Sequence, residues 1–143
     1  MMWAEFDYSS FPIVNVVMDG IIKNDEEFDD FINKWRKLYD RKMYFTFIFD
    51  TRKVGWVNPK YAYKMTKFIS ELKNKDKQYL KGSSIIVDSI WIKTLFMFIF
   101  SIQSPVCPIE YHETARTIDV EKLMDKTSLN LDGLRFGLDS RFN

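Results

Sequence analysis

Cysteine and histidine are almost absent from this sequence, which holds one of each, Cys107 and His112, in 143 residues. A single cysteine excludes an internal disulfide and is typical of a reducing compartment, so we expect a cytoplasmic protein. One cysteine and one histidine are also too few for a structural zinc site, unless carboxylates supply the other ligands. We therefore expect neither a metal nor another cofactor.

Glycine is scarce and scattered. The five glycines, at positions 20, 55, 82, 133 and 137, never form a close-set cluster. Phosphate-binding loops need such a cluster because their backbone amides must wrap around the phosphate. Nucleotide binding through either common glycine motif is therefore not expected.

No charge of one sign dominates, since 21 basic and 20 acidic residues leave a formal net charge of +1. This balance gives no electrostatic reason to expect nucleic acid or an anionic membrane as partner. The most apolar segment, 90–102, has 13 residues, whereas a bilayer-spanning helix needs about 20. The N-terminus also lacks a basic region followed by an apolar stretch, so we predict no signal peptide and no membrane insertion.

Hydrophobic residues make up 46% of the chain and aromatic residues 17%, which is enough for one real core. Strand-like patterns occupy 3–8, 12–18, 43–49, 84–87 and 106–111. Helix-like patterns, with Asn24, Asn58, Ser89 and Thr117 as expected N-caps, occupy 24–41, 58–72, 89–103 and 117–126. This alternation predicts a single α/β domain over 1–126 with a four- to five-stranded, mostly parallel sheet and about four helices. Residues 127–143 are interpreted as an extended tail.

Three groups of polar residues are candidates for chemistry, and each has a simpler interpretation. Cys107 and His112 lie five residues apart, an odd separation that places them on opposite faces of a regular strand; Glu110 and His112 share a face. The acids at 25–30 begin a helix, where they complement its dipole. The lysines at 72–81 are typical of a solvated helix end. We predict that the protein is not an enzyme.

The helix predicted over 90–102 is apolar almost all round, although a helix that lies on a sheet should be polar on one side. The N-terminal strand, the C-terminal tail or another subunit must cover the excess. We favour partner contact. The aromatic side chains proposed to make it are Trp91, Phe96, Phe98 and Phe100.

The stretch "FIFDTRKVGWVNPKYAY", 47–63, passes from a strand through a loop into a helix that begins at Asn58-Pro59. Such corners often carry function in α/β proteins. The side chains that we expect to face a partner here are Val54, Trp56, Asn58 and Lys60.

The succession of "FIFD", "VNPKYAYKMTKFI", "SSIIVDS", an apolar helix and "PVCPIEYHETA" resembles a STAS domain of the SpoIIAA-like branch over about residues 11–126. The resemblance implies the STAS fold and a function in binding protein partners. Signalling members carry a regulatory serine after an aspartate at the start of the second helix. In this sequence Asn58 stands for the aspartate, and Pro59 and Lys60 stand where the hydroxyls would be. The phosphorylation switch is therefore not expected.

These observations lead to three hypotheses. The first is a non-enzymatic, STAS-like protein–protein interaction module that binds another protein or itself, as a homo-oligomer. The second is a structural subunit or adaptor of a large assembly, such as a viral particle, with the tail from Thr127 as an arm. The third is a carrier of a small apolar ligand or lipid, with phenylalanines lining a pocket.

Overall fold

The fold was analysed in a computed structural model that describes residues 2–130. Its elements alternate between strand and helix as predicted. The strands are β1 (Ala4–Asp7), β2 (Ile13–Gly20), β3 (Phe45–Val54), β4 (Leu80–Ile86) and β5 (Ile109–His112). The helices are α1 (Asp25–Tyr39), α2 (Pro59–Lys73), α3 (Ile90–Ile102) and α4 (Val120–Asp125), and a 3-10 turn spans Ala115–Thr117.

The five strands form one sheet in the order β1-β2-β3-β4-β5. Strand β1 pairs with β2 in antiparallel fashion, and all the other pairs are parallel. Sequential parallel strands with crossovers of one hand carry their connecting helices on the same face of the sheet. The predicted fold class, a single α/β domain with a mostly parallel sheet, is confirmed.

The main core lies between this sheet and the helices α1 and α2. Alternate residues of β3, Phe45, Phe47 and Phe49, point toward the helices and are buried. The indole of Trp35 in α1 lies 4.8 Å from the Phe47 ring and 5.2 Å from the Phe68 ring of α2, between ring centroids. Helix α1 and helix α2 therefore share one aromatic core with the central strand.

Helix α4 lies on the opposite face of the sheet. A Cβ at Gly82 would come within 2.9 Å of Cδ of Lys126, so the Lys126 side chain occupies this position of β4. Gly82 pairs with Thr46, whose neighbours Phe45 and Phe47 face the other helices. The Nζ of Lys122 binds Glu110 of β5 at 2.6 Å. Among residues 2–130 the fold therefore has three layers over β3–β5, with α4 as the one helix on its side of the sheet.

Three of the four predicted helix N-caps are confirmed. Asn24 accepts a hydrogen bond from the Glu27 amide at 3.0 Å, Asn58 from the Lys60 amide at 3.0 Å, and Ser89 from the Ile92 amide at 3.4 Å. Thr117 was wrong as the fourth cap because its hydroxyl is bound to Nδ1 of His112 at 2.7 Å. Asp119 caps α4 instead, through the Lys122 amide.

The strand boundaries differ more from the predictions. Strand β3 does not end near Asp50, since Lys53 and Val54 still pair with Asp19 and Gly20 of β2. Its last residues look like a loop in the sequence because polar side chains such as Asp50 and Arg52 lie on the face without α1 and α2. Strand β4 starts earlier than predicted, at Leu80, and β5 starts later, at Ile109.

The predicted tail begins as part of the compact structure. Thr127 is buried, and the Asn130 side chain both accepts from the Tyr44 amide and donates to the Tyr44 carbonyl, at 2.8 Å each. These bonds attach the segment that follows α4 to the start of β3. The rest of the predicted tail lies outside the described residues.

Candidate functional site

Helix α3 buries only one narrow side. Ile92 and Ile99 are buried, seven residues apart on the same side of the helix, and Leu95 lies between them, half-buried. Ile99 packs with Ala62 and Ile69 of α2. This contact places α3 beside α2, on the face of the sheet that carries the main core.

The side of α3 that adjoins this buried strip is apolar as well as exposed. The exposed apolar residues of this helix are together called the α3 outer face. They are Ile90, Trp91, Met97, Phe98 and Ile102. Ile90 is 81% exposed, Met97 66% and Phe98 50%. Scattered apolar side chains are normal on a protein surface, but five along one helix form a patch of the kind from which binding surfaces are built.

The two hydroxyl residues on this side of the helix add little polarity. The Thr94 hydroxyl donates to the Ile90 carbonyl at 2.7 Å, and the Ser101 hydroxyl donates to the Phe98 carbonyl at 2.7 Å. A hydroxyl bonded back to its own helix presents mainly its carbon atoms to a partner. Lys93 is the one charged residue in α3. The surface is therefore suited to another apolar surface and not to an ionic ligand.

The structure tests one of the covers proposed for α3. Strand β1 pairs with β2 at the edge of the sheet farthest from β5, so the N-terminal strand does not cover α3 and that interpretation is wrong. The C-terminal tail beyond Asn130 lies outside the described residues. Helix α4, the last described helix, lies on the other face of the sheet.

The four aromatic candidates of α3 divide into two pairs. Trp91 and Phe98 belong to the α3 outer face. Phe96 and Phe100 are half-buried and stack on each other, with ring centroids 6.1 Å apart, and Phe96 also contacts the Tyr111 ring of β5. Phe96 and Phe100 therefore pack against the part of the domain beside β5. Only Trp91 and Phe98 are directed outward as a partner contact requires.

The corner 54–63 mainly serves to connect β3 to α2. Val54 is half-buried at the end of β3, and the Asn58 side chain is used as the cap of α2. The Lys60 Nζ lies 3.1 Å from the Asp25 carboxylate, and the hydrogen bond from Lys60 holds the pKa of Asp25 below its usual range. Trp56, 56% exposed, is a corner candidate whose side chain is mostly accessible and, unlike Lys60, is not held in an ion pair.

Cys107 and His112 lie in different environments, but Cys107 precedes β5, so the prediction from their spacing along one strand does not apply to them. Cys107 is buried in the core with its Sγ 3.5 Å from Ser83 Oγ, and burial raises the pKa of its thiol to about 11. A thiol of that pKa carries almost no reactive thiolate at neutral pH. His112 binds Thr117, and its Nε2 lies 3.5 Å from the Glu110 carboxylate.

Three lysines near the end of α2 and the start of β4 are in cation–π contact with tyrosines. The lysines that follow α2 lie over tyrosine rings: Lys75 over Tyr39, and Lys77 and Lys81 over Tyr44. In the part of the chain from 2 to 130, no three His, Cys, Asp or Glu side chains converge as a metal site would require. No helix in that same range combines the length and hydropathy needed to cross a bilayer.

Comparison of the chain with protein-family models, with curated proteins and with solved structures finds no match.

Proposed function

We propose that this chain is a non-enzymatic protein–protein interaction module and that its partner is a second copy of itself, docked through the α3 outer face. The observation that carries the proposal is the exposed patch Ile90, Trp91, Met97, Phe98 and Ile102 on a helix with one charged residue. Burial of such a patch is favourable at about 25 cal/mol per Å² of apolar surface.

A second copy is favoured over a charged partner by the electrostatics. The formal net charge is +1, so two copies repel each other weakly. In a two-fold, antiparallel arrangement of α3 against α3, Trp91 of one copy lies beside Ile102 of the other, and Phe98 lies near the axis. The same patch then serves both copies, as a symmetric dimer requires. The two Lys93 side chains fall on opposite sides of the axis.

Sedimentation velocity over a hundredfold range of protein concentration tests the proposal. We expect a monomer–dimer equilibrium for the wild type and a monomer for Phe98→Glu, because a buried unpaired carboxylate opposes docking. Val120→Glu is the matched control. Val120 is also about half exposed, at 52%, but lies on α4 at the other face of the sheet. A wild type that stays monomeric at every concentration overturns the proposal.

We also propose that the domain is STAS-like. The support is the order of elements from β2 to α4 and the start of α2 at Asn58-Pro59 directly after β3. With Pro59 and Lys60 at the positions of the regulatory hydroxyls, docking in this chain is not controlled by phosphorylation at the corner. An experimental structure that superposes on STAS domains over 11–126 supports this assignment, and a different strand order overturns it.

A further inference from the structure

An apolar cavity lies inside the domain, between the sheet and the inner side of α3. Its volume is about 110 Å³. The sheet contributes Phe49 and Ile85, α2 contributes Ala62 and Met65, and α3 contributes Leu95 and Ile99 to its wall. Protein interiors are close-packed, with few voids larger than a water molecule, so a space of this size is unusual in a small domain.

Most polar side chains in the wall have their hydrogen-bonding groups occupied, but the indole N–H of Trp35, which also lines the wall, has no partner among residues 2–130. The Thr51 hydroxyl donates to the Ile86 carbonyl at 2.8 Å, and the Ser83 hydroxyl is paired with the Cys107 thiol at 3.5 Å. A buried water needs two to four polar partners, and an apolar cavity without them stays dry. The wall offers one unpaired donor, fewer than a buried water needs, so the space is matched to a molecule that is mainly hydrocarbon.

Size restricts the occupant further. An engineered apolar cavity of about 150 Å³ in another protein binds benzene or xenon. The present cavity, at about 110 Å³, is of the same order and suits a single small hydrocarbon group. The wall reaches the surface beside the second half of α3, where Phe96, Phe100 and Val106 are half-buried, which gives a route of entry.

We propose that this cavity is a binding site for a small, uncharged hydrocarbon molecule or for the end of a hydrocarbon chain of that size. The site is distinct from the α3 outer face, because none of the five residues of that face lines the cavity. The proposal therefore does not depend on self-association.

Methyl-resolved NMR with benzene as the probe tests the site in the full chain. We expect saturable shifts of the Leu95, Ile99 and Ile85 methyl groups and unchanged Ile90 and Ile102 methyl groups. Shifts confined to Ile90 and Ile102, or no saturable shift at all, would overturn the proposal. Phe98→Glu should retain the cavity shifts, which separates this result from the fate of the dimer.

A variant whose side chain fills the cavity provides a second test of the proposal. Ala62→Leu adds three carbons at the wall and should weaken benzene binding at least tenfold. If that variant does not fold, Ala62→Met places a more adaptable chain in the same space. Val14→Ala is the matched core control, since Val14 is fully buried but does not line the cavity, and it should bind benzene as the wild type does. Equal binding by the filled variant contradicts the assignment.

Discussion

Helices α1 and α3 lie on the same face of one sheet, yet they meet solvent in opposite ways. Helix α1 buries Phe28, Phe31 and Trp35 and turns polar side chains outward; its Arg36 is paired with Glu71 of α2. Helix α3 buries only Ile92 and Ile99 and is apolar on both sides. In contrast to α1, which pairs charges with α2 on its outer side, α3 presents an apolar surface that residues 2–130 leave exposed.

The largest loss of stability is expected from removing a buried side chain of α1. Trp35→Ala removes a buried ring that contacts Phe47, Phe49 and Phe68, so the free energy of unfolding should fall by about 3–5 kcal/mol. Urea denaturation followed by far-UV circular dichroism measures the loss. A loss below about 1 kcal/mol would mean that α1 does not organise this core.

The corresponding truncation in α3 should matter less. Ile99→Ala removes a buried side chain that already borders an empty space, so it gives up fewer contacts, and we expect a loss of about 2 kcal/mol, the low end of the usual range. The same denaturation experiment provides the value. Met97→Ala on the outer face is the control and should change the stability of the monomer by no more than about 0.5 kcal/mol.

The helix caps extend the comparison. Asn58 holds the start of α2 through a 3.0 Å bond, whereas the Ser89 bond at the start of α3 is 3.4 Å long. Asn58→Ala should therefore destabilise the protein by about 1 kcal/mol, and Ser89→Ala by about half as much. Thermal unfolding of the two variants side by side checks the order. A larger loss for Ser89→Ala would show that α3 is held more firmly than its contacts indicate.

The smallest expected change in stability comes from an ion pair between α1 and α2, and it depends on pH. The hydrogen bond from Arg36 lowers the pKa of Glu71, so this pair stabilises the fold above the unfolded pKa of about 4.3 and is lost as pH falls through the lower folded value. Because both side chains are more than two-fifths exposed, we expect at most about 1 kcal/mol.

Glu71→Gln measures this contribution. The variant should be less stable than the wild type at pH 7, and the two should converge near pH 3, in urea denaturation at each pH. Phe98→Ala, in the ion-pair-free outer face of α3, should leave the difference in stability between pH 7 and pH 3 unchanged. A Glu71→Gln variant as stable as the wild type at neutral pH would show that the pair between α1 and α2 contributes nothing.

Sequence patterns predicted α1 well and α3 only in part, for a physical reason. The apolar residues of α1 recur on one side, so the pattern identifies both the helix and its buried face. In α3 nearly every residue is apolar, so the limits of the helix could be predicted but not the side that faces the core. Phe96 and Phe100 were therefore grouped with Trp91 and Phe98, although they are half-buried beside β5.

Tertiary bonding explains most other differences from the sequence predictions. The polar end of β3 could be recognised as strand only from its pairing with β2, which a single sequence does not contain. Thr117 has the chemistry of a helix cap, but its hydroxyl is bound to His112. The cavity depends on how helices and sheet approach each other, and the abundance of phenylalanine alone did not locate it.

The most direct test of the central claim is fluorine NMR of the full chain with fluorinated tryptophan, recorded across a range of protein concentrations. The four tryptophans report separately: Trp3 and Trp35 are buried, Trp56 lies in the corner and Trp91 lies on the α3 outer face. We predict that the Trp91 resonance shifts with concentration while those of Trp3 and Trp35 stay fixed, and that Phe98→Glu abolishes the shift. A Trp91 resonance that does not change with concentration would contradict the account.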